Sequence, residues 1–440
     1  MMRFNGNVVR STSSVCPVCL ERIDARMVER NGNIYMEKEC PRHGAFSTVV
    51  WKSGVDYSRW IEGAAPLGEG ENLKCPNNCG ICPEHRSKTC CVLFEVTERC
   101  DLSCGFCFAN KSGANDPPID ELRAQMERFI VKGETLLQLS GGEPSMRDDL
   151  PDLVKEAKKL GCKYVQLNSN GIRLAEDTEY VRKLAEAGLS FVFMQFDGLN
   201  DETYEKLRGR PLFAIKERAI KNCADHNLGV TLVPTVVPRI NTDEIGGIIS
   251  FAIKNSPAVR GVHFQPVTYS GRIPRRPADR DRFTLDELLT QIERQTQGMI
   301  SIKNILPSRC DHPMCGFHGD FVVQEDGTLY PLSEKNENAQ TCCCGHDSLA
   351  ARNREFVARR WQREPLSNEC CLKDNNAAEH DINDMEYFLE RVKSHGFTVT
   401  AMAFQDAGNL DIERLRMCSL HVFKDGRLVP FCANYLGPLC

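Results

Sequence analysis

Between Cys90 and Val267 short apolar runs alternate six times with amphipathic stretches, and no other feature constrains the fold of this 440-residue chain as tightly. The apolar runs are Val92 to Val96, Thr135 to Leu139, Tyr164 to Asn168, Phe191 to Phe196, Val230 to Val237 and Gly261 to Val267. Among the intervening stretches, Ile119 to Val131, Asp149 to Leu160, Asp177 to Ala187 and Ile215 to Asp225 carry helical periodicity. Strands that alternate with helices of this length pair in parallel, because parallel neighbours need a crossover between them. Six such units predict an α/β fold, a partial (β/α)6 TIM-like barrel over residues 91–270, with function at the carboxyl ends of its strands.

Chemistry concentrates at those strand ends. The run VTERCDLSCGFCFAN follows the first strand and places Cys100, Cys104 and Cys107 as Cys-x3-Cys-x2-Cys. Three thiolates suit three corners of a [4Fe-4S] cube and leave the fourth iron open to a substrate or cofactor. Zinc ribbons also use Cys-x2-Cys pairs, but a zinc knuckle rarely interrupts a β/α repeat. The second strand runs into Gly141, Gly142, Glu143 and Pro144. GGEP alone describes many strand-to-helix turns. At this position it offers exposed carbonyls and a carboxylate, which an ammonium group needs, and glycine lets the main chain come close. Later strand ends supply Asn168, Ser169, Asn170 and Gly171 in LNSNG, then Gln195 and Asp197 in QFDG. Polar side chains at a barrel mouth are ligand candidates, and each is equally suited to cap the helix that follows.

Twenty-three cysteines exceed what core packing uses. The N-terminus MMRFNGNVVRSTSS lacks the apolar segment of a signal peptide, and no run approaches the length of a membrane span. The expected location is therefore cytoplasmic, where metal ligation rather than disulfide formation explains the cysteines. A net charge of -5 lacks the basic bias of a nucleic-acid binder, so no nucleic-acid partner is expected. Cys162 and Cys223 sit inside strand or helix patterns and read as small buried hydrophobes. Cys16, Cys19, Cys40 and His43, in CPVC and CPRHG, flank a hairpin turning at Asn31-Gly32. They form a closed tetrahedral set within residues 1–70, a zinc-knuckle or rubredoxin-like module for zinc or one iron. A second Cys-x3-Cys-x2-Cys, made of Cys75, Cys79 and Cys82, marks residues 71–90 as an auxiliary cluster segment.

Residues 271–440 contain two hairpin signals, Asp326-Gly327 in EDGTLYPLS and Asp425-Gly426 in KDGRLVPFC. The second delivers Cys432 toward Cys418, whereas the first has Leu332 or Ser333 where a cysteine is expected. Cys310, Cys315, Cys418 and Cys432 are the expected ligands of a further cluster. Cys342, Cys343 and Cys344 compete with them, and Cys90, Cys91, Cys370, Cys371 and Cys440 remain in reserve. Arg272, Arg275, Arg276, Arg280 and Arg282 invite an anion-binding reading, while Pro274, Pro277 and the nearby aspartates favour a solvated linker.

The triplet after the first strand and GGEP after the second resemble the radical SAM superfamily. The resemblance implies an open iron that chelates S-adenosyl-L-methionine, whose one-electron cleavage gives a 5'-deoxyadenosyl radical that takes hydrogen from an unactivated C–H bond. It implies that Cys100, Cys104 and Cys107 ligate the catalytic [4Fe-4S] cluster and that Phe106 lies near the adenine. It also implies that Gly141, Gly142 and Glu143 receive the methionyl amino group, with Asn168, Ser169, Asn170, Gln195 and Asp197 serving the ribose and carboxylate. The family more often has serine where this chain has Gln195. The C-terminal hairpins are similar to SPASM-type extensions, so a SPASM-like iron-sulfur region is expected there, for two auxiliary clusters in all. Two triplets between such terminal modules resemble the tetraether lipid synthase family and the related TrsS radical SAM (seleno)proteins. That likeness implies carbon–carbon bond formation on a lipid-like substrate, an electron donor such as ferredoxin or flavodoxin, and peripheral membrane contact. A radical SAM methyltransferase or peptide maturase is the alternative. A noncatalytic iron-sulfur electron carrier would need no ammonium-binding turn.

Overall fold

A computed structural model of the chain describes residues 6–62, 75–76, 80–108, 115–273, 276–308, 310–332, 360–363 and 385–439. Cys79, Cys342, Cys343, Cys344, Cys370, Cys371 and Cys440 lie outside the described residues, as do Ser333, Pro274 and Arg275. The N-terminal module is an antiparallel sheet of β1 (Asn7–Val15), β2 (Arg22–Arg30), β3 (Asn33–Cys40) and β4 (Gly44–Trp51), paired in chain order. Asn31 and Gly32 turn β2 into β3 with φ of 51° and 79°, the two left-handed residues that a tight two-residue hairpin requires. Met27, Met36 and Trp51 point to the buried face, where Trp51 packs on Tyr57 and Trp60 at ring separations of 5.8 and 5.9 Å.

The predicted parallel sheet comprises β5 (Cys91–Thr97), β6 (Leu136–Gly141), β7 (Tyr164–Ser169), β8 (Phe191–Gln195), β9 (Gly229–Val233), β10 (Thr235–Val236) and β11 (Val259–Pro266). β5, β6, β7, β8, β9 and β11 are parallel neighbours in that order. The apolar run Val230 to Val237 is two strands, since Pro234 has no N–H to give the ladder and β10 turns aside to pair with β11. Leu137, Leu139, Val165, Leu167, Val192 and Met194 belong to the buried core, and the residues between them face the barrel interior.

Residues after 270 continue the sheet. They supply β12 (Leu306–Pro307), β13 (Gly316–Val323), β14 (Leu329–Pro331), β15 (Gly396–Met402), β16 (Leu420–Lys424) and β17 (Arg427–Pro430). β15 joins β11 in parallel on one edge, with β13 antiparallel beyond it, and β16 joins β5 in parallel on the other. Both edges of the sixfold sheet are thereby covered, which removes two rows of unpaired backbone groups. Asp425 and Gly426, at φ of 50° and 78°, turn β16 into β17 as the hairpin signal predicts.

The N-terminal module is fastened to the C-terminal half of the chain. Thr12 donates to Asp411 at 2.7 Å, the Lys38 ammonium donates to the Ala407 carbonyl at 2.7 Å, and the Lys52 and Gly54 amides donate to Asp286. Arg10 pairs with both Asp411 and Glu413. Burial alone would raise the Asp411 carboxyl, but the Arg10 guanidinium holds it below its ordinary value of 3.8. Replacing Arg10 by Met leaves that carboxylate buried without its cation, so a loss of about 3 kcal/mol is expected. Urea unfolding followed by tryptophan fluorescence measures it. A depressed folded-state value contributes stability above pH 3.8 that fades as pH falls below it, so wild type and variant should converge in acid.

Candidate active site

Cys100, Cys104 and Cys107 follow β5 and line one cavity of about 410 Å³ at the carboxyl ends of the strands. Phe106, Gly141, Gly142, Glu143, Asn168, Ser169, Asn170 and Gln195 line the same cavity. Of the strand-end residues singled out from sequence, Pro144, Gly171 and Asp197 do not line it. The Leu102 amide donates to the Cys100 sulfur at 3.5 Å, and the Arg272 amide donates to the Cys107 carbonyl at 3.2 Å. Arg208 lies over the Phe106 ring at 5.7 Å, and its charge is felt at the Cys104 thiol. Three half-buried thiols facing one cavity beside a fixed guanidinium fit an iron-sulfur cluster, whose soft donors carry negative charge that the cation offsets.

The two glycines after β6 have a specific steric role. A Cβ on Gly141, where φ is +130°, would lie 2.2 Å from the Thr97 carbonyl, and one on Gly142 would lie 2.1 Å from that of Arg99. Absence of side chains lets the turn close onto the thiol loop, with Gly142 N–H donating to Thr97 O and Glu143 N–H to Arg99 O, both at 2.7 Å. Glu143 is buried at the edge of the cavity, and its carboxylate is spent on the protein's own donors. Its carboxylate accepts from Ser145 N–H at 3.1 Å, Ser145 Oγ at 2.6 Å, Ser169 Oγ at 2.8 Å and Asn170 N–H at 2.6 Å. Burial still pushes its pKa up, against the pull of these donors.

In LNSNG the capping reading is realised, on residues that also line the cavity. Asn170 Oδ1 accepts from the Ile172 amide at 2.9 Å and starts the helix Ile172–Glu176, while its Nδ2 donates to Asp101 of the thiol loop at 2.6 Å. Asn168 Oδ1 accepts from Gln166 Nε2 at 2.6 Å. Gln195 donates to Asp197 and accepts from Lys216 Nζ at 3.0 Å. Asp197 is fully buried and receives Arg208 through two bonds of 2.7 and 2.8 Å. Arg208, Lys216 and Asp101 were not foreseen. Lys216 did leave a signal, because it falls on the apolar stripe of helix Phe213–Asp225 with Ala219 and Ile220, where a charge needs a partner. Burial lowers its ammonium to about 7, and Nζ donates to the Asn170 carbonyl.

Cys310, Cys315, Cys418 and Cys432 converge around Asp311 and Arg414. Cys310 lines the main cavity and bonds to Cys90, which holds its thiol up together with burial. Burial also pushes the Cys432 thiol to about 12. Cys310 is buried, and Cys315, Cys418 and Cys432 are half-buried. The Cys16, Cys19 and Cys40 sulfurs and a His43 nitrogen all lie within 4.8 Å of one another, the compact arrangement of a single-ion site. Cys75 is buried against Tyr269 and Leu439, and Cys82 is half-buried. Cys162 and Cys223 are core residues, as their patterns predict. Arg282 is buried and forks onto Asp406 at 2.8 and 2.9 Å, which leaves it neither a linker residue nor a free anion site. Among the described residues no helix is long and apolar enough to cross a membrane.

Lys216 holds the carbonyl of Asn170 and the amide of Gln195, both on the cavity wall, so Lys216→Met should move that wall without touching a thiol. We expect about a hundredfold loss in the rate of S-adenosylmethionine cleavage, the scale of a misplacement near 1 Å, with iron content unchanged. Iron assay and 5'-deoxyadenosine chromatography on the same preparation measure both.

Comparison with known proteins agrees with this geometry. Residues 94–252 match the model of the radical SAM superfamily, and residues 8–52 match that of the HMPTM N-terminal zinc ribbon domain. A 7,8-dihydro-6-hydroxymethylpterin dimethyltransferase of Methanocaldococcus jannaschii is 33% identical over 96% of this chain and 92% of its own length. The Fe-coproporphyrin III synthase of Methanosarcina barkeri is 32% identical over 41% of this chain and 45% of its own. Among solved structures, Streptococcus suis SuiB bound to S-adenosylmethionine aligns over 48% of each chain with a TM-score of 0.38 and 21% identity. The family brings a [4Fe-4S] cluster and S-adenosylmethionine as cofactors, and the N-terminal metal site is that of a zinc ribbon. The family model covers most of the barrel and the M. jannaschii relative covers 96% of the chain, so the chain belongs to the radical SAM superfamily.

Proposed function

We propose that this radical SAM enzyme methylates a C–H position of a small organic substrate held inside the barrel, in place of the lipid carbon–carbon coupling that the sequence resemblance implies. One observation carries the reading: the three thiols, the Gly141–Glu143 turn and the polar barrel interior open onto a single cavity of about 410 Å³. A methyltransferase name on a relative that spans 96% of the chain supports it. When bound, the cluster and one S-adenosylmethionine would supply the 5'-deoxyadenosyl radical and leave methionine, a second S-adenosylmethionine would supply the methyl group and leave S-adenosylhomocysteine, and the electron donor would supply the electrons. Cys100, Cys104 and Cys107 would hold the cluster, with Arg208 offsetting its charge. The backbone of Gly141 and Gly142, with Asn168, Ser169 and Gln195, would border the methionyl and ribose groups, and Phe106 the adenine. Phe108, Phe404, Phe431 and Tyr435 pack ring against ring at one side and would keep water from the reacting carbon.

The nest of Cys310, Cys315, Cys418 and Cys432 would hold one auxiliary cluster beside the substrate, and Cys75, Cys79 and Cys82 another. An electron donor such as ferredoxin or flavodoxin would feed them.

Two experiments test the reading. Replacing Cys100, Cys104 and Cys107 together by Ala should reduce 5'-deoxyadenosine formation to background in the reconstituted protein. With methyl-deuterated S-adenosylmethionine and 7,8-dihydro-6-hydroxymethylpterin as first probe, the wild type should yield a deuterium-labelled organic product by mass spectrometry. Carbon–carbon coupling of a lipid without label would overturn methyl transfer. Separately, replacing Cys418 and Cys432 together by Ala should remove about four irons per chain and leave the other clusters' paramagnetic signals in place. Unchanged iron would show that these two sulfurs are not ligands.

A further inference from the structure

Beneath the layer of Asn168 and Gln195, the barrel interior carries a second layer of inward side chains. Gln138 on β6 pairs in register with Gln166 on β7 and His263 on β11 with Thr400 on β15, and Phe193 on β8 lines the same cavity. No member of this layer is charged. The acids and cations that line the cavity, Glu143, Arg208 and Asp311, belong to the strand-end loops or the C-terminal thiol nest. Trp361 closes the layer from below, 4.5 Å from Phe193 and 6.4 Å from His263 between ring centres.

Some of these groups lack partners. Gln166 is fully buried; its Nε2 is spent on Asn168, and its Oε1 accepts nothing. His263 Nδ1 bonds to Thr400 Oγ1 at 2.8 Å, which leaves Nε2 directed elsewhere without a partner among the described residues. Buried polar atoms are rarely left unpaired, and a cluster of them on one cavity floor marks a place where a ligand supplies the bonds.

We propose that this floor reads the uncharged amide edge of a planar lactam-type ring, with Gln166 Oε1 accepting a ring N–H, His263 Nε2 meeting the neighbouring ring atom, and Phe193 lying against the ring. The proposal rests on the reading that a small substrate occupies the barrel. A hydrocarbon chain would leave Gln166 and His263 unpaired in a dry site. A carboxylate or phosphate would face a carbonyl oxygen and find no cation in the layer. Burial drives His263 to about 4, so the ring is neutral at physiological pH and offers one acceptor or one donor, as a lactam does. Space agrees, since about 410 Å³ that must also admit part of S-adenosylmethionine leaves room for one or two fused rings.

Equilibrium dialysis of the reconstituted holoenzyme with S-adenosylmethionine tests this without turnover. The probes are quinazolin-4-one, naphthalene, 1-naphthoate and dodecanol. Quinazolin-4-one should bind about tenfold or more tighter than the other three, and Gln166→Met and His263→Leu should each weaken it about tenfold. Iron content and far-UV circular dichroism identify folded variants, and His263→Gln, which restores a neutral hydrogen-bonding group, should recover part of the affinity. Naphthalene or dodecanol binding as tightly as the lactam, or folded variants that bind it unchanged, would overturn the proposal. Dialysis does not depend on methyl transfer, so a wrong reaction assignment would leave this result standing.

Discussion

The buried Glu143 carboxylate is the interaction on which the site depends. It collects four hydrogen bonds, two from its own turn through Ser145 and two from the next strand end through Ser169 and Asn170. On its other side, the amides of Gly142 and Glu143 reach the carbonyls of Thr97 and Arg99 at the start of the thiol loop. The ends of β5, β6 and β7 are thus joined through one turn, and charge-assisted bonds in a dry interior make the joint stiff. Asp101 completes the circuit by accepting from the Asn170 side chain. A loop with no regular structure of its own can then present three thiols at fixed spacing.

Charge is organised with the same economy. Asp197 and Arg208 form a fully paired fork beneath the cavity wall, and the cation's remaining reach is toward Cys104 and the Phe106 face. A buried pair of this kind contributes little to stability once desolvation is counted, so its value lies in holding a guanidinium in one place. Lys216 sits on the opposite side of Asp197, tied to Asn170 and Gln195. A second full positive charge so close to Arg208 is costly, and burial accordingly brings the ammonium down to about 7.

Much of this was legible in the sequence, and the limits have physical causes. Alternation revealed the six parallel units because the hydrophobic period switches between strand and helix at each step. It merged β9 and β10 because the pattern ignores a missing N–H at Pro234. Helix Asp201–Arg208 went unread, with eight residues and few apolar ones, and Arg208 went with it. Cys418 and Cys432 come near each other because the Asp425-Gly426 hairpin folds β17 back along β16. Glu143 was placed at the cofactor turn, but a carboxylate in a turn is spelled the same whether it receives a ligand or backbone amides.

The partners of β15 and β16 could not be read at all. Strand pairing across such sequence distances is decided by which edges remain open, and here the tail takes both: β15 against β11 and β16 against β5. One wall of the cavity is consequently made by the tail, through Cys310, His318, Thr400, Phe404, Phe431 and Tyr435, which face the thiol loop across the interior. The cavity is therefore walled by two parts of the chain, the barrel strands that carry Gln166, Phe193 and His263 and the tail strands opposite the thiol loop. The β5 to β7 loops are locked to one another and leave little freedom to vary without losing the thiol geometry. The tail strands meet the barrel only along its edges, so that wall can change while the thiol loop and the barrel floor stay fixed, and function on this fold must be argued from the cavity as a whole.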